Sequence, residues 1–394
     1  MRGPVRAARP GRWKEVTTNR AAFIHSSELE KYSYPSECPF NASRAGRARQ
    51  ILVSMGLLGG RGHVEVAPEP ATREELLTFH TPEYLAALQA APMGQLDIEG
   101  LWMGLGTAET PIFLGLWEYA TLAAGATLLA ARRILAGESD VAFNPSGGYH
   151  HAFASRAAGF CYVNDVVLAC ERLAAAGKRV FFLDVDAHHA DGVQAAFYDR
   201  RDVMTLSFHE SGKTLFPGTG FEDETGVGAG EGYSANVPLP ARTYDEAFLK
   251  AFGAVAVPLI GAYGPDVIVL ELGMDGLSGD PLTHLGLTNN AYAEVVERVL
   301  AFRRPVLATG GGGYHVENTA RGWALAWSIL SGQDHGSDDL QAGLGGVMMA
   351  STDWLGGLRD RALVASAEQR AAVEPAVEQT IEKVKRNVFA AHGL

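Results

Sequence analysis

Cysteine is scarce in this sequence: Cys38, Cys161 and Cys170 are the only three among 394 residues. Three thiols cannot build a disulfide framework, so the chain is expected to work in a reducing compartment, the cytoplasm. Basic charge is in deficit, with 33 Lys and Arg against 45 Asp and Glu for a formal net charge of −12. Neutralising a phosphate backbone needs the opposite balance, so direct nucleic-acid binding is not expected. Long hydrophobic runs are missing as well. The longest nearly apolar stretch, from Ala251 to Tyr263, contains Pro258 and reads as too short to span a bilayer. No linker rich in Pro or Ser divides the chain. The two Gly-Gly-Tyr-His segments at 147–150 and 312–315 have unlike flanks, so they are not read as a repeat.

What remains is ordinary material for a globular protein, 47% hydrophobic and 20% charged. Residues 1–20 differ, carrying Arg2, Arg6, Arg9, Arg12, Lys14 and Arg20 against Glu15 alone. No apolar segment follows them, which excludes a secretory signal and leaves a flexible basic tail or a start site set too early. Residues 21–394 read as a single domain.

Short β-branched and aromatic runs recur along it: 22–24, 63–66, 141–143, 180–185, 203–208, 267–272 and 306–308. The central ones are continuous instead of alternating, the mark of strands buried on both faces of a parallel sheet. Helical patterns at 120–135, 165–176, 244–263 and 289–302 separate them. The alternation predicts an α/β fold with a mostly parallel sheet. The glycine run at 226–230 lacks a strand before it and a helix after it, so it reads as a loop and not a nucleotide fingerprint.

The unusual polar residues cluster just past three of these strands. Asp184 to Gly192 follows the first, Gly273-Met274-Asp275 the second and Gly310 to Tyr314 the third. Ligand sites of open α/β sheets form outside the carboxyl ends of the strands. Asp186 and His188, two apart on an extended segment, point to the same side. With Asp275 they form a set of two carboxylates and one imidazole, without thiolate, suited to an open catalytic metal site. The adjacent pairs His150-His151 and His188-His189 are hard to explain by packing. Asp184 and Asp191 flank the second pair and can each hold a ring nitrogen of the first, as general-base work requires.

The segments Gly147-Gly148-Tyr149-His150-His151-Ala152, Gly159-Phe160-Cys161-Tyr162-Val163-Asn164-Asp165, Asp184 to His189, Leu272 to Asp275 and Gly310 to Tyr314 occur in one order. Together they resemble the zinc-dependent histone deacetylase family, especially its bacterial acetoin-utilisation-type members, from about Ala21 to Gly332. The resemblance implies a three-layer α/β/α arginase/deacetylase-like fold and hydrolysis of acetyl-lysine in proteins. It implies Asp186, His188 and Asp275 as ligands of Zn²⁺ or Fe²⁺. His151 is implied as general base or acid, with Asp191 as its partner, and His150 as an electrostatic partner held by Asp184. Tyr314 is implied as oxyanion donor, Phe160 and Phe216 as tunnel walls, and Gly159 as acceptor of the substrate amide. Leu282 falls at the tunnel mouth, Glu109 at the rim and Arg44 along an acetate exit. K⁺ or Na⁺ sites are implied around Asp184, His188, Ser207 and Phe208, and around Phe197 and Val203. An acyl-CoA synthetase is among the protein substrates implied; no membrane association is expected, and the oligomeric state is not readable.

Three positions depart from the family pattern. Ala190 replaces a glycine, Glu109 an aspartate, and Cys38 the histidine of a His-Pro-Phe-type segment. Asp186-Ala187-His188 also echoes arginase-type ureohydrolases, but a second metal there needs an aspartate where Ala190 stands. An acetylpolyamine amidohydrolase shares the inner residues and stays open as a reading. So does a catalytically weak acyl-lysine binding protein.

Overall fold

The structure is a computed structural model and describes residues 20–334 and 357–394. The basic segment 1–19 therefore lies outside the described residues. Eight strands form one sheet: β1 (Ala21–Ile24), β2 (His63–Val66), β3 (Val141–Asn144), β4 (Val180–Asp184), β5 (Val203–Glu210), β6 (Ser234–Leu239), β7 (Val267–Glu271) and β8 (Val306–Thr309). Their order is β2-β1-β3-β8-β7-β4-β5-β6, and every pairing is parallel.

Helices cover both faces, and the pleat alternation decides which side chain meets which layer. Phe181, Leu183, Ile268 and Leu270 face helices α1 (Arg44–Ser54), α8 (Asp245–Tyr263), α9 (Asn289–Leu300) and α10 (Val316–Leu330), joined by the C-terminal helix α11 (Ala367–Val388). Phe182, Val267, Val269 and Leu307 face α5 (Leu116–Leu135), α6 (Asp165–Ala175) and α7 (Asp191–Phe197). Each fully buried Phe, Leu or Val side chain contributes about 1.5–3 kcal/mol relative to exposure. A third apolar cluster, rich in tyrosine and phenylalanine, joins α2 (Arg73–Leu76) and α3 (Pro82–Ala90) to α5 and to the region around Tyr149 and Tyr162, while the short helix α4 (Ile98–Trp102) packs beside α3.

Two differences from the sequence expectation have clear causes. The strand β6 was not anticipated, because Pro238 and Asn236 interrupt its β pattern. It is an edge strand, where proline is tolerated. Helix α11 covers that edge, and Thr380 Oγ1 donates to the Pro238 carbonyl at 3.1 Å. The apolar run read as 251–263 is the end of the 19-residue helix α8, long and apolar enough by length and composition to cross a membrane. Half of it is buried, however, and Phe248 and Phe252 pack on Phe208 with ring centroids 5.6 and 5.5 Å away. It is a core helix of this sheet.

Candidate active site

Four neighbouring strands, β3, β8, β7 and β4, deliver the polar segments to one edge of the sheet. Residues 145–151 leave β3, Gly310 to Tyr314 leave β8, Leu272 to Asp275 leave β7 and Val185 to Asp191 leave β4. Local hydrogen bonds fix each turn. Asn164 caps α6 by accepting from the Val167 amide, while its Nδ2 donates to the Ala152 carbonyl at 2.8 Å. Its neighbour Asp165 accepts from the Gly148 and Tyr149 amides at 3.0 and 2.8 Å. The Asn164-Asp165 pair thereby pins the loop that carries the two adjacent histidines.

Those histidines form two dyads. His150 Nδ1 lies 2.8 Å from Asp184 Oδ2, and His151 Nδ1 lies 2.7 Å from Asp191 Oδ1. Their Nε2 atoms face each other at 3.0 Å, so the pair shares one proton and cannot comfortably carry two charges. Burial acts to lower the His150 pKa, but the Asp184 and Asp186 charges and the Asp184 hydrogen bond outweigh it and raise it to about 9. Burial and the neighbouring His150 charge lower that of His151 to about 4, although Asp191 opposes them. At neutral pH His150 therefore holds the proton and His151 is the free base.

Beside them, donor atoms of Asp186, His188 and Asp275 lie within 4.8 Å of one another, all buried. His188 Nδ1 is 3.1 Å from Asp186 Oδ1 and 2.8 Å from Asp275 Oδ2. The backbone holds both carboxylates. Gly312 N–H donates to Asp186 Oδ2 at 2.6 Å and Ala187 N–H to Asp275 Oδ1 at 2.8 Å. A Cβ on Gly312 would fall 2.1 Å from Asp275 Oδ2, so only glycine fits that approach. Burial and the Asp186 charge push Asp275 up to about 7, against the pull of His188. Burial would lower His188, yet Asp275 and Asp186 raise it well above the usual range. A proton thus balances two acids at one point. Two hard oxygens and an imidazole nitrogen at that spacing suit a divalent cation, which would displace the proton.

Aromatic rings complete the site. Phe216 stands 5.0 Å from the His151 ring, and Phe160 5.6 Å from Tyr314, whose ring is 6.2 Å from His188. Burial raises the Tyr314 pKa well above its usual value, so its hydroxyl stays a donor. Phe160 has φ +65°, an uncommon conformation for a residue with a side chain. It is over-determined there: its N–H donates to the Glu109 carbonyl at 3.1 Å and its carbonyl accepts from Tyr34 Oη at 2.9 Å. Gly159 has φ +51°, and a Cβ there would meet His151 at 2.4 Å.

The remaining residues singled out in the sequence are placed as follows. Leu282 is half-buried and donates its N–H to Asp280 Oδ1 at 2.9 Å. Glu109 is exposed beside a cleft of about 880 Å³ that also reaches Phe216, Arg156 and Trp102. Arg44 is buried under the Gly310–Tyr314 turn, donates to the Gly313 carbonyl at 2.7 Å and stacks over Phe40 at 4.4 Å. Ser207 Oγ pairs with His209 Nδ1 at 2.8 Å, next to Phe208 on β5. Phe197 and Val203 are buried at the opposite end of β5. Ala190 has φ −73°, ordinary for any residue, so its methyl strains nothing.

Sequence reading missed three contributors. Asp165 is one. Asp280 is another, accepting from the Tyr314 amide at 2.7 Å and so tying the tyrosine turn to Leu282. It stands in a Gly-Asp-Pro segment with no local mark of a site. The third, Glu271, ends an apolar strand and lies 3.1 Å from His150 Nδ1.

Comparison with known proteins follows the same lines. Residues 38–330 match the family model described as the histone deacetylase domain. The chain is 41% identical over 326 residues to the acetoin utilization protein AcuC of Bacillus subtilis, covering 81% of this chain and 84% of that protein. Over 322 residues it is 37% identical to histone deacetylase RPD3 of Saccharomyces cerevisiae, covering 81% and 73%. The crystal structure of an HDAC homolog complexed with SAHA superposes with a TM-score of 0.82 at 34% identity, covering 93% of this chain and 99% of that one. That of an HDAC homolog from Aquifex aeolicus gives 0.80, also at 34% identity and the same coverage.

Proposed function

This chain belongs to the histone deacetylase family, and from that premise we propose that it hydrolyses the acetyl amide of acetyl-lysine in proteins, releasing acetate and the free lysine amine. The observation that carries the reading is the convergence of two His–Asp dyads, the Asp186–His188–Asp275 cluster and Tyr314 on one sheet edge. A divalent cation, Zn²⁺ or Fe²⁺, held by that cluster would polarise the amide carbonyl and acidify a water. His151, the free base, takes the water proton as the oxygen attacks the carbonyl carbon. Tyr314 Oη donates to the oxyanion that forms. A protonated histidine of the pair then gives its proton to the departing nitrogen, and the C–N bond breaks. Phe160 and Phe216 would flank the four-carbon lysine stem, with the Gly159 carbonyl accepting from the substrate amide. Leu282 and Glu109 would meet the neighbouring residues, and Arg44 would stand along the route by which acetate leaves. Monovalent cations would brace the backbone at Asp184, His188, Ser207 and Phe208, and at Phe197 and Val203.

The open cleft between Glu109 and Trp102 favours a polypeptide over a small amine, since it offers room for residues beside the lysine. We propose a cytoplasmic setting, supported by three unpaired cysteines. An acetylated metabolic enzyme such as an acyl-CoA synthetase is the substrate class to test first. Acetate release from an acetyl-lysine peptide and from an acetylated polyamine, measured side by side on Zn²⁺-loaded protein, separates the readings. Peptide turnover is the expected result. Preference for the polyamine would move the function to small-molecule metabolism, and binding of the peptide without turnover would favour an acyl-lysine reader.

The pH profile follows from the two histidines. His151 must be unprotonated, so kcat/KM should rise with pH through a value near 4; His150 must hold its proton, so it should fall again through about 9. A bound cation moves both limbs to lower pH by repelling the protons. A rate that climbs steadily to pH 10 without an alkaline limb would contradict the assignment of His150.

A further inference from the structure

One rung of the sheet is polar across six adjacent strands. Asn144, Thr309, Glu271, Asp184, Ser207 and Asn236 are register partners in that order on β3, β8, β7, β4, β5 and β6. All six are buried. The residues two positions earlier on four of these strands, Ala142, Leu307, Val269 and Phe182, face α5, α6 and α7, so this rung underlies the histidine loop from that side. Asn144 donates to Thr127 Oγ1 at 2.8 Å, Asp184 holds His150, Ser207 pairs with His209, and Asn236 donates to Gln194 Oε1 at 2.7 Å. Glu271 and Thr309 are different. Both Glu271 carboxyl oxygens and Thr309 Oγ1 are buried without a hydrogen-bond partner, and Glu271 Oε1 lies 3.1 Å from His150 Nδ1, which is also 2.8 Å from Asp184 Oδ2. A buried polar group that is left unpaired costs free energy, so its retention beside a catalytic imidazole calls for a reason.

We propose that Glu271 is a positioning residue of the His150–Asp184 dyad: as a neutral carboxylic acid it closes the dyad beside His150 Nδ1 and fixes that ring without adding a second counter-charge. Charge placement requires the neutral form. The acids near enough to raise it are Asp184 on β4, Asp186 just past that strand, Asp165 on α6 and Asp275 beyond β7, and His150 is the imidazole beside it. Burial and those acids hold its carboxyl well above the usual range. A cation at Asp186 and Asp275 offsets two of the four acids and leaves burial, Asp184 and Asp165. Its cross-strand neighbour Thr309 carries a buried hydroxyl that is likewise without a partner, so no charged donor on that side favours the ionised form. An ionised Glu271 would instead place His150 Nδ1 between two carboxylates, and the imidazolium would hold its proton too tightly to take part in transfer. The inference rests on the deacetylase reading for its catalytic consequence, but the protonation of Glu271 and His150 can be read without turnover.

The test uses the full chain with Zn²⁺ bound, as wild type, Glu271→Gln and Glu271→Leu. Kinetic pH profiles are combined with ¹⁵N NMR titration of the histidines and infrared difference spectra of the carboxylic-acid carbonyl band. The wild-type protein should show a protonated-acid band at neutral pH that disappears in Glu271→Gln. The glutamine, neutral and of the same shape, should keep kcat within about threefold and leave the His150 titration in place. Glu271→Leu should lower kcat about tenfold at unchanged KM and move the His150 titration down by about one pH unit, because an acceptor beside its N–H is lost. The proposal is overturned if the infrared band is absent from wild type, or if the glutamine moves His150 as far as leucine does. It is equally overturned if leucine changes neither kcat nor titration. The infrared arm decides the matter even where leucine fails to fold. A wild-type protein that shows the band and the His150 titration yet turns over no acetyl amide would sink the deacetylase reading alone.

Discussion

Replacing Tyr314 by phenylalanine is expected to lower kcat by about 10²–10³-fold while KM for an acetyl-lysine peptide changes little. Removing one oxyanion donor from a water-poor site costs about 2.7–4 kcal/mol of transition-state stabilisation. Tyr314 meets the conditions for that magnitude. Burial keeps its hydroxyl protonated, and its ring stands against both Phe160 and His188. Its backbone is held independently of the hydroxyl, through Asp280 Oδ2 on its own amide and Arg44 on the Gly313 carbonyl. Phenylalanine should therefore occupy the same place, and the loss isolates the hydroxyl. The effect belongs in kcat because the donor meets charge that exists only as the oxyanion forms. Steady-state kinetics and a melting curve check it. A drop of less than about fivefold, with the fold intact, would remove Tyr314 from the chemistry.

Removal of the divalent cation is expected to have the largest effect, at least about 10³-fold on kcat, because Lewis-acid stabilisation of the developing charge is worth several kcal/mol. Chelation followed by dialysis should leave the protein folded. The Asp186–His188–Asp275 cluster is anchored by backbone donors from Gly312 and Ala187, and a proton on His188 can balance the two acids. Zn²⁺ or Fe²⁺ added back should restore turnover and release a proton, which a weakly buffered titration reads directly. The charge on Asp275 is needed for this, so Asp275→Ala should neither bind the ion nor recover on its addition. Full activity in the stripped protein would refute metal dependence. Recovery of Asp275→Ala by stoichiometric Zn²⁺ would refute the ligand assignment alone.

Much of this architecture was legible in the chain because the signals were local. Val180 to Asp184 and Val267 to Glu271 are continuous apolar runs that end in acids, and a parallel strand buried on both faces has to look like that. Asp186 and His188 are two apart on one extended segment, so their common side follows from the backbone period. The elements that escaped notice have weak local signals. Strand β6 carries Pro238, tolerable only because β6 is an edge under α11. Asp280 looks like a turn residue until the Tyr314 amide is seen to donate to it.

Sequence by itself determined seven of the eight described strands, four of the helices between them, the common side of Asp186 and His188, and the resemblance carried by five ordered motifs. Only the tertiary structure decided which distant residues share a rung and which acids face one imidazole. Glu271 and Asp184 are cross-strand neighbours although 87 positions separate them, and Asn144 reaches the same rung through β8. Parallel neighbours are joined by long crossovers, and their register is set by the packing of helices on both faces, so no spacing along the chain encodes it. The burial that raises Glu271 and keeps Tyr314 protonated arises in the same way, from layers that meet only once the sheet is covered.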